Sequence, residues 1–359
     1  MDAPQDRRQE LRRQLTLCRA CGYCDGYCDV FPAAGRAQVL ANEDLTQLAS
    51  LCHNCRGCYY SCQYAPPHAF GVNLPAILAE VRSDSWDGMI WLRRPMRLFQ
   101  TRGLLVALVL GLGIAAILSL GQPHPQAGGS GLYRDMSHAM MVTVFVPAFL
   151  APIALVLGGI RRYLRSVDAG PVRLRHIRTA LIRGMRLDNL SGGHGQGCNF
   201  ERQDRFSDLR RKLHWATVAG FLLCFAATMA GAIMHYAMHL PAPYGLASPP
   251  KFLGATGGVL LSFGAAGLGL LKLRADRGLG DARVWGGELA FILLLLLLPT
   301  SGFALWAASG SRLAPWFLGL HLGSVLTFFL LLPYSKMVHG AFRLSALIVE
   351  AQRQQGSRR

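Results

Sequence analysis

The chain has 359 residues, of which 52% are hydrophobic and only 16% charged, against roughly 25% charged in ordinary soluble domains; a purely soluble globular protein is thereby excluded. Lys plus Arg number 37 against 20 Asp plus Glu, a net +17 carried mostly by arginine, so an acidic partner such as DNA has to be weighed until those charges are placed along the chain. Eight of the ten cysteines fall between Cys18 and Cys62, a density that means metal or disulfides. The opening MDAPQDRRQELRRQ has no apolar core, so no secretory signal is expected; the thiols begin in a reducing compartment and metal is favoured.

Residues 1–90 are polar and Cys-rich, enough for a small domain held together by metal rather than by a large apolar core. Helical spacing runs from Asp6 to Leu17 through Leu11 and Leu15 and leads into Cys18. A second helix is expected from Asn42 as cap, with Glu43 and Asp44 in its first turn, through Leu45 and Leu48 to Leu51. A third follows from Asn73 through Ile77, Leu78 and Val81. No alternating strand pattern stands out, so the head is read as all-α and Trp86–Arg102 as its connection to the membrane.

From Gly103 apolar runs recur at Gly103–Leu120, Met136–Ile160, Leu213–His239, Phe252–Leu273, Gly286–Ala308 and Trp316–Val338. Each is long enough to cross ~30 Å of hydrocarbon at ~1.5 Å per residue; the first is the shortest and a re-entrant segment is its alternative. The expected division is 1–90 as a cytoplasmic head, 91–345 as a six-span membrane domain with an Arg-rich loop at 161–212, and 346–359 as a polar cytoplasmic tail.

The loops place the charge. Thirteen Lys and Arg lie between Arg161 and Lys212, and Arg274, Arg277 and Arg283 lie between the fourth and fifth runs. The alternate loops are nearly bare: none in 121–133, Lys251 alone in 240–251, Arg312 alone in 309–315. The positive-inside rule then puts both termini and the Arg-rich loops in the cytoplasm, in a multi-pass protein of the cytoplasmic (inner) membrane. The basic charge is topology, and nucleic acid is not expected as a partner; the lipid bilayer is, with anionic head groups within reach of the basic loop.

Cys18-x2-Cys21-x2-Cys24-x3-Cys28 is one cysteine run, and Cys52-x2-Cys55-x2-Cys58-x3-Cys62 repeats its spacing. Eight thiolates in two such quartets suit two 4Fe–4S clusters, the fourth Cys of each run ligating the other cluster. The expected sets are Cys18, Cys21, Cys24 and Cys62 for one cluster and Cys52, Cys55, Cys58 and Cys28 for the other. Structural zinc and disulfides are the alternatives; zinc ordinarily draws its ligands as two pairs. Asp29, not Pro, follows the first run, unlike bacterial ferredoxins, and the 23 residues between Cys28 and Cys52 leave room for a helix.

Polar groups at membrane depth are costly and usually functional. His214 and His235 lie near opposite ends of the third span, ~31 Å apart if helical, and His321 and His339 near opposite ends of the sixth, ~27 Å apart. In antiparallel helices His214 meets His339 at the cytoplasmic side and His235 meets His321 at the outer side, so each pair is expected to clamp a haem b, one or two in all. His138 rivals His235 for the outer iron, with His239 behind it. His53, His68, His124, His176 and His194 are read as solvated. No Cys-x-x-Cys-His run occurs, so covalent haem is not expected. The loop from Gly192 to Cys198 is either a flexible loop or one lying near a partner or cofactor, and Cys224 is read as a small apolar residue. No flavin or nicotinamide signature appears, which makes the chain a relay without a substrate site of its own.

CRACGYCDGYCDVFPA, LCHNCRGCYYSCQYAPPHAFGVN, GQGCNF, the pair HW followed by MHY, and HLGSVLTFFLLLPYSKMVHG together resemble the tricarballylate-utilisation protein B family (TcuB/CitB) over nearly the whole chain. The segment from His321 to His339 also resembles the haem-bearing last helices of nitrate reductase γ subunits. The resemblance implies an all-α protein: an N-terminal α-helical ferredoxin-like domain with two 4Fe–4S clusters, then a six-helix transmembrane cytochrome b-like bundle. It further implies a membrane electron-transfer component that reoxidises the flavin of a partner FAD-dependent dehydrogenase, similar to tricarballylate dehydrogenase, and passes electrons through clusters and haem b to the quinone pool. Two other roles are kept beside it: a quinol-oxidising subunit feeding a soluble acceptor, and a redox-sensing membrane scaffold.

Overall fold

The computed structural model describes residues 3–90, 93–120, 138–192, 195–200, 205–240 and 244–356. Among these the chain is helical, and the single β feature is an isolated bridge between Cys198 and Ser207.

The head is built from α1 (Ala3–Cys21), α2 (Val30–Arg36), α3 (Asn42–Leu51), the single turn α4 (Gly57–Tyr60) and α5 (Leu74–Asp87). Leu11 and Leu15, one turn apart on α1, are fully buried against Leu45 and Leu48 of α3 and Leu78 and Val81 of α5. Burying each such side chain is worth about 1.5–3 kcal/mol, the main stabilisation available to a domain this small. Asn73 caps α5 by accepting the Ala76 N–H at 3.3 Å. On α3 the cap is Ala41 rather than Asn42, and the Asp44 carboxylate accepts the Ala41 N–H at 3.3 Å. The interval between the two cysteine runs holds two helices, α2 and α3, where one was expected.

Beyond the head come α6 (Arg93–Leu120), α7 (His138–Ser166), α8 (Leu174–Arg186), α9 (Leu209–Tyr236), α10 (Pro249–Arg274), α11 (Trp285–Ala307), α12 (Ala314–Leu331) and α13 (Val338–Gly356). Six stretches are long and apolar enough to cross a membrane, the first of them a 27-residue span rather than a short re-entrant piece. α6 packs along α11 and α12, and α9 lies against α10. That last pair is drawn together at Gly220, where an added Cβ would fall 2.3 Å from the Leu261 backbone nitrogen.

The sixth span departs from expectation. α12 stops at Leu331, a 3-10 turn covers Leu332–Tyr334, and α13 starts at Val338. Pro333 has no N–H to continue the ladder and its ring collides with the preceding turn, so the break is local chemistry. His321 and His339 therefore sit on different helices, and the rise computed for one continuous helix does not apply. The expected polar tail is also corrected: 346–356 is the second half of α13, with Ala346, Leu347, Val349, Glu350 and Ala351 buried beside α3 and α8. Phe342 stacks on Trp86 with ring centres 5.1 Å apart, Gln47 Nε2 donates to the Ala346 carbonyl at 2.8 Å, and Arg36 pairs with buried Glu350. The head is thus fastened to the bundle by the last helix of the chain.

Candidate redox centres

The cysteines are positioned by helix ends. Cys18 and Cys21 ride the last turn of α1, which Gly22 terminates at φ +67, leaving Cys24 and Cys28 in the turns before α2. In the second run Cys52 caps the end of α3, and Arg56, left-handed at φ +70, turns the chain into α4 with Cys58. Cys18, Cys21, Cys24 and Cys62 line one cavity of about 290 Å³, with Cys58 at its edge. Cys28, Cys52, Cys55 and Cys58 line a second, smaller one. Among the described residues no three His, Cys, Asp or Glu converge closely enough to hold a single metal ion; the thiols surround space instead. All ten cysteines are free thiols.

Burial and the facing thiols push Cys18 and Cys24 up to about 12, and burial and Cys198 do the same to Cys55; Cys28 and Cys58 are raised well above the ordinary thiol value by burial. These five thiols are therefore protonated on their own, and a cationic centre held there must displace the protons. The first cavity lies near the surface, with Cys21 exposed and Tyr23 67% exposed. The second lies inward.

The inward side carries residues that composition did not single out. Arg343 of α13 and Arg82 of α5 each donate to the Cys52 carbonyl at 3.0 Å, and Arg210 of α9 donates to the Asn54 and His53 carbonyls at 2.8 and 3.3 Å. His53 is not solvated as expected: it shares a cleft with His339, Arg210, Arg343 and Lys336. Burial and the Arg343 charge hold its imidazole well below the ordinary histidine range, hence neutral. His176 is also buried, its Nδ1 accepting from the Arg173 N–H at 3.3 Å at the start of α8, whereas His68 is exposed.

The Gly-rich segment lies near the candidate cofactor sites. The Asn199 N–H donates to the Cys55 carbonyl at 2.9 Å, and the guanidinium groups of Arg210 and Arg56 stand over the Phe200 ring at 4.0 and 4.4 Å. Gly197, at φ +94, turns the chain where a Cβ would fall 2.3 Å from the Ser207 oxygen. Gly193 and His194, like His124, lie outside the described residues.

Of the membrane histidines, His214 on α9 and His339 on α13 face each other with ring centres 6.0 Å apart and planes at 87°. The His339 Nδ1–H is committed to the Lys336 carbonyl, leaving Nε2 for a ligand. The His214 Nδ1 is buried with no hydrogen-bond partner among the described residues. Two imidazole nitrogens each about 2 Å from one metal put their ring centres about 6 Å apart, so the pair fits a shared iron. Nearby, Glu288 is clamped by Lys272 and, at 2.8 Å, by Lys336.

The other histidines are not gathered in the same way. His321 lines a cavity of about 490 Å³ between α9, α10, α11 and α12 that also holds Cys224. His235 is not among the residues lining it; its ring stands edge-on to Tyr236 at the end of α9. His239 is exposed beyond that end at φ +54. His138 is the first residue of α7, and its side chain lies outside the described residues.

A head bearing two thiol quartets, fixed to six membrane-length helices, defines the class as a membrane-type protein with a ferredoxin-like head. Comparison with known sequences agrees and sharpens it. Residues 11–87 match the family described as citrate utilization protein B Fer4-like domain, and residues 92–359 match citrate utilization protein B. The citrate utilization protein B of Escherichia coli is 38% identical over 345 residues, covering 94% of this chain and 90% of that one. The chain belongs to the citrate utilization protein B family. No solved structure matches it.

Proposed function

We propose that the protein is a membrane electron relay that takes electrons from the reduced flavin of a partner FAD-dependent dehydrogenase and delivers them to the quinone pool. The observation that carries this reading is the order of sites: a thiol quartet with Cys21 exposed, a second quartet with none exposed, then the His214–His339 pair, with His53, His339 and Arg343 lining one cleft and Arg343 donating to the Cys52 carbonyl. Cys18, Cys21, Cys24 and Cys62 would hold the outer 4Fe–4S cluster, Cys28, Cys52, Cys55 and Cys58 the inner one, and His214 with His339 a haem b; bound there, these groups supply the one-electron carriers that join two-electron flavin to two-electron quinone.

The chain's own residues do the rest. Arg82, Arg210 and Arg343 fix the Cys52–Asn54 backbone by three carbonyls, so the inner quartet and His339 keep one spacing. The Asn199 N–H holds the Cys55 carbonyl, tying the Gly-rich loop to the inner quartet. Arg210, Lys336 and Arg343 line the same cleft as His339 and would supply cations for the carboxylates of a haem held there. The dehydrogenase's substrate is a tricarboxylate, the chemistry common to the tricarballylate of the resemblance and the citrate in the family's description.

The test uses purified full-length protein in liposomes with photoreduced flavin as donor and decylubiquinone as acceptor. Quinol should form with the native chain and cease in Cys55→Ser while haem content is kept. Quinol formation at the native rate in Cys55→Ser would remove the clusters from the path.

A further inference from the structure

The cavity beside His321 is unlike the His214–His339 site. Its walls are largely apolar, with Phe221, Phe225, Phe303, Phe328 and Phe329 among them, and its volume is about 490 Å³. Room is made by small residues: at Gly302 an added Cβ would fall 3.2 Å from the His321 ring, and at Gly254 nothing but Ala227 lies within 4 Å.

The polar side of the cavity is built rather than incidental. Ser301 Oγ lies 3.0 Å from the His321 Nδ1, 3.0 Å from the Leu298 carbonyl and 3.3 Å from Ser324 Oγ, and Ser324 donates to the His321 carbonyl at 2.7 Å. Buried Ser301 thus holds the imidazole at Nδ1 and buried Ser324 holds the His321 carbonyl, on a wall that is otherwise largely apolar. Nδ1 is engaged, which leaves Nε2 as the nitrogen for a ligand.

A second bis-histidine haem fits this cavity poorly. His235 does not line it, and among the described residues the one cation on its walls is Lys251, which stands over the Trp306 ring at 5.2 Å; haem brings two carboxylates that would need cations at membrane depth. A neutral, flat, lipophilic ligand with one carbonyl to be hydrogen-bonded meets none of these objections. Its nearer wall is also close to the relay: Phe221 is seven residues from His214 on α9, a rise of about 10 Å, and its ring lies 5.8 Å from Phe328.

We propose that this cavity is the quinone site, with His321 Nε2 as the hydrogen-bonding partner of a ring oxygen and Ser301 holding the imidazole. The inference rests on the relay reading and locates its exit. The quinone takes two electrons, one at a time, from the His214–His339 side and two protons from water at the end of the bundle away from the head, and leaves as quinol.

The experiment is equilibrium binding of decylubiquinone to detergent-purified holoprotein, with haem content and haem reduction by photoreduced flavin followed in the same samples. In His321→Gln and in Gly254→Phe, which fills the cavity, affinity should fall at least tenfold, with haem content and flavin-driven haem reduction unchanged; the haem spectrum reports that each variant is folded. Native affinity in both variants overturns the location while leaving the relay intact. Loss of a haem equivalent in His321→Gln overturns it too, because the cavity then holds haem. Failure of flavin to reduce the haem in the native chain would instead strike the relay reading.

Discussion

The two cysteine runs are interleaved, and this has consequences for single residues. Cys28 belongs to the first run by sequence but lines the cavity of the second, and Cys62 does the reverse. Cys28→Ser should therefore alter the electron paramagnetic resonance signal of the inner cluster and leave the outer one native, with Cys62→Ser giving the mirror result; each variant disturbing its own run's cluster would contradict the crossing. His339→Ala, like His214→Ala, should lose the haem of that pair while keeping cluster iron, measured as the Soret band against acid-labile sulfide. The cysteine positions were legible because thiol spacing is a local constraint. His53 and Arg343 were not: they acquire their places from a seam between segments hundreds of residues apart, and neither has a local pattern that marks it.

At the scale of elements, six spans could be read from apolar runs because bilayer thickness sets their length. The break between α12 and α13 was signalled by Pro333, but the burial of the last helix was hidden by its polar composition, QRQQ, near the end. Its apolar residues Phe342, Ala346 and Val349 do recur at one-turn spacing, the pattern of a buried face. Deleting residues 346–359 should cost far more than trimming a solvated tail, since it strips the cover from α3 and leaves Arg36 and the Gln47 amide without their partners. Purified truncated protein is expected to lose cluster iron and melt well below the native chain; native iron content and melting would refute the packing role. In the α9–α10 pair, Gly220→Val puts a side chain into the Leu261 backbone, and overpacking typically costs about 1–3 kcal/mol or more. The haem band should disappear at a lower temperature in that variant than in the native protein.

For the whole molecule, the proposed relay runs from the quartet with Cys21 exposed through the second quartet and an arginine-held seam to the paired imidazoles and the His321 cavity. The seam is built by α5, α9, α11 and α13 together, so head and bundle form one structure rather than a tethered pair. The Arg-rich stretch contributes as well: Arg183 of α8 pairs with Asp29, and Asn189 donates to the same carboxylate at 3.0 Å, next to Cys28. Charge that the sequence assigns to membrane topology is in part structural cement around the inner quartet, which only the folded chain reveals. The most direct test of this account is a count of centres per polypeptide in detergent-purified protein, by non-haem iron, acid-labile sulfide and pyridine haemochrome. The account predicts about eight irons, about eight sulfides and about one haem b; zinc in place of labile sulfide, or clusters with no haem at all, would contradict it.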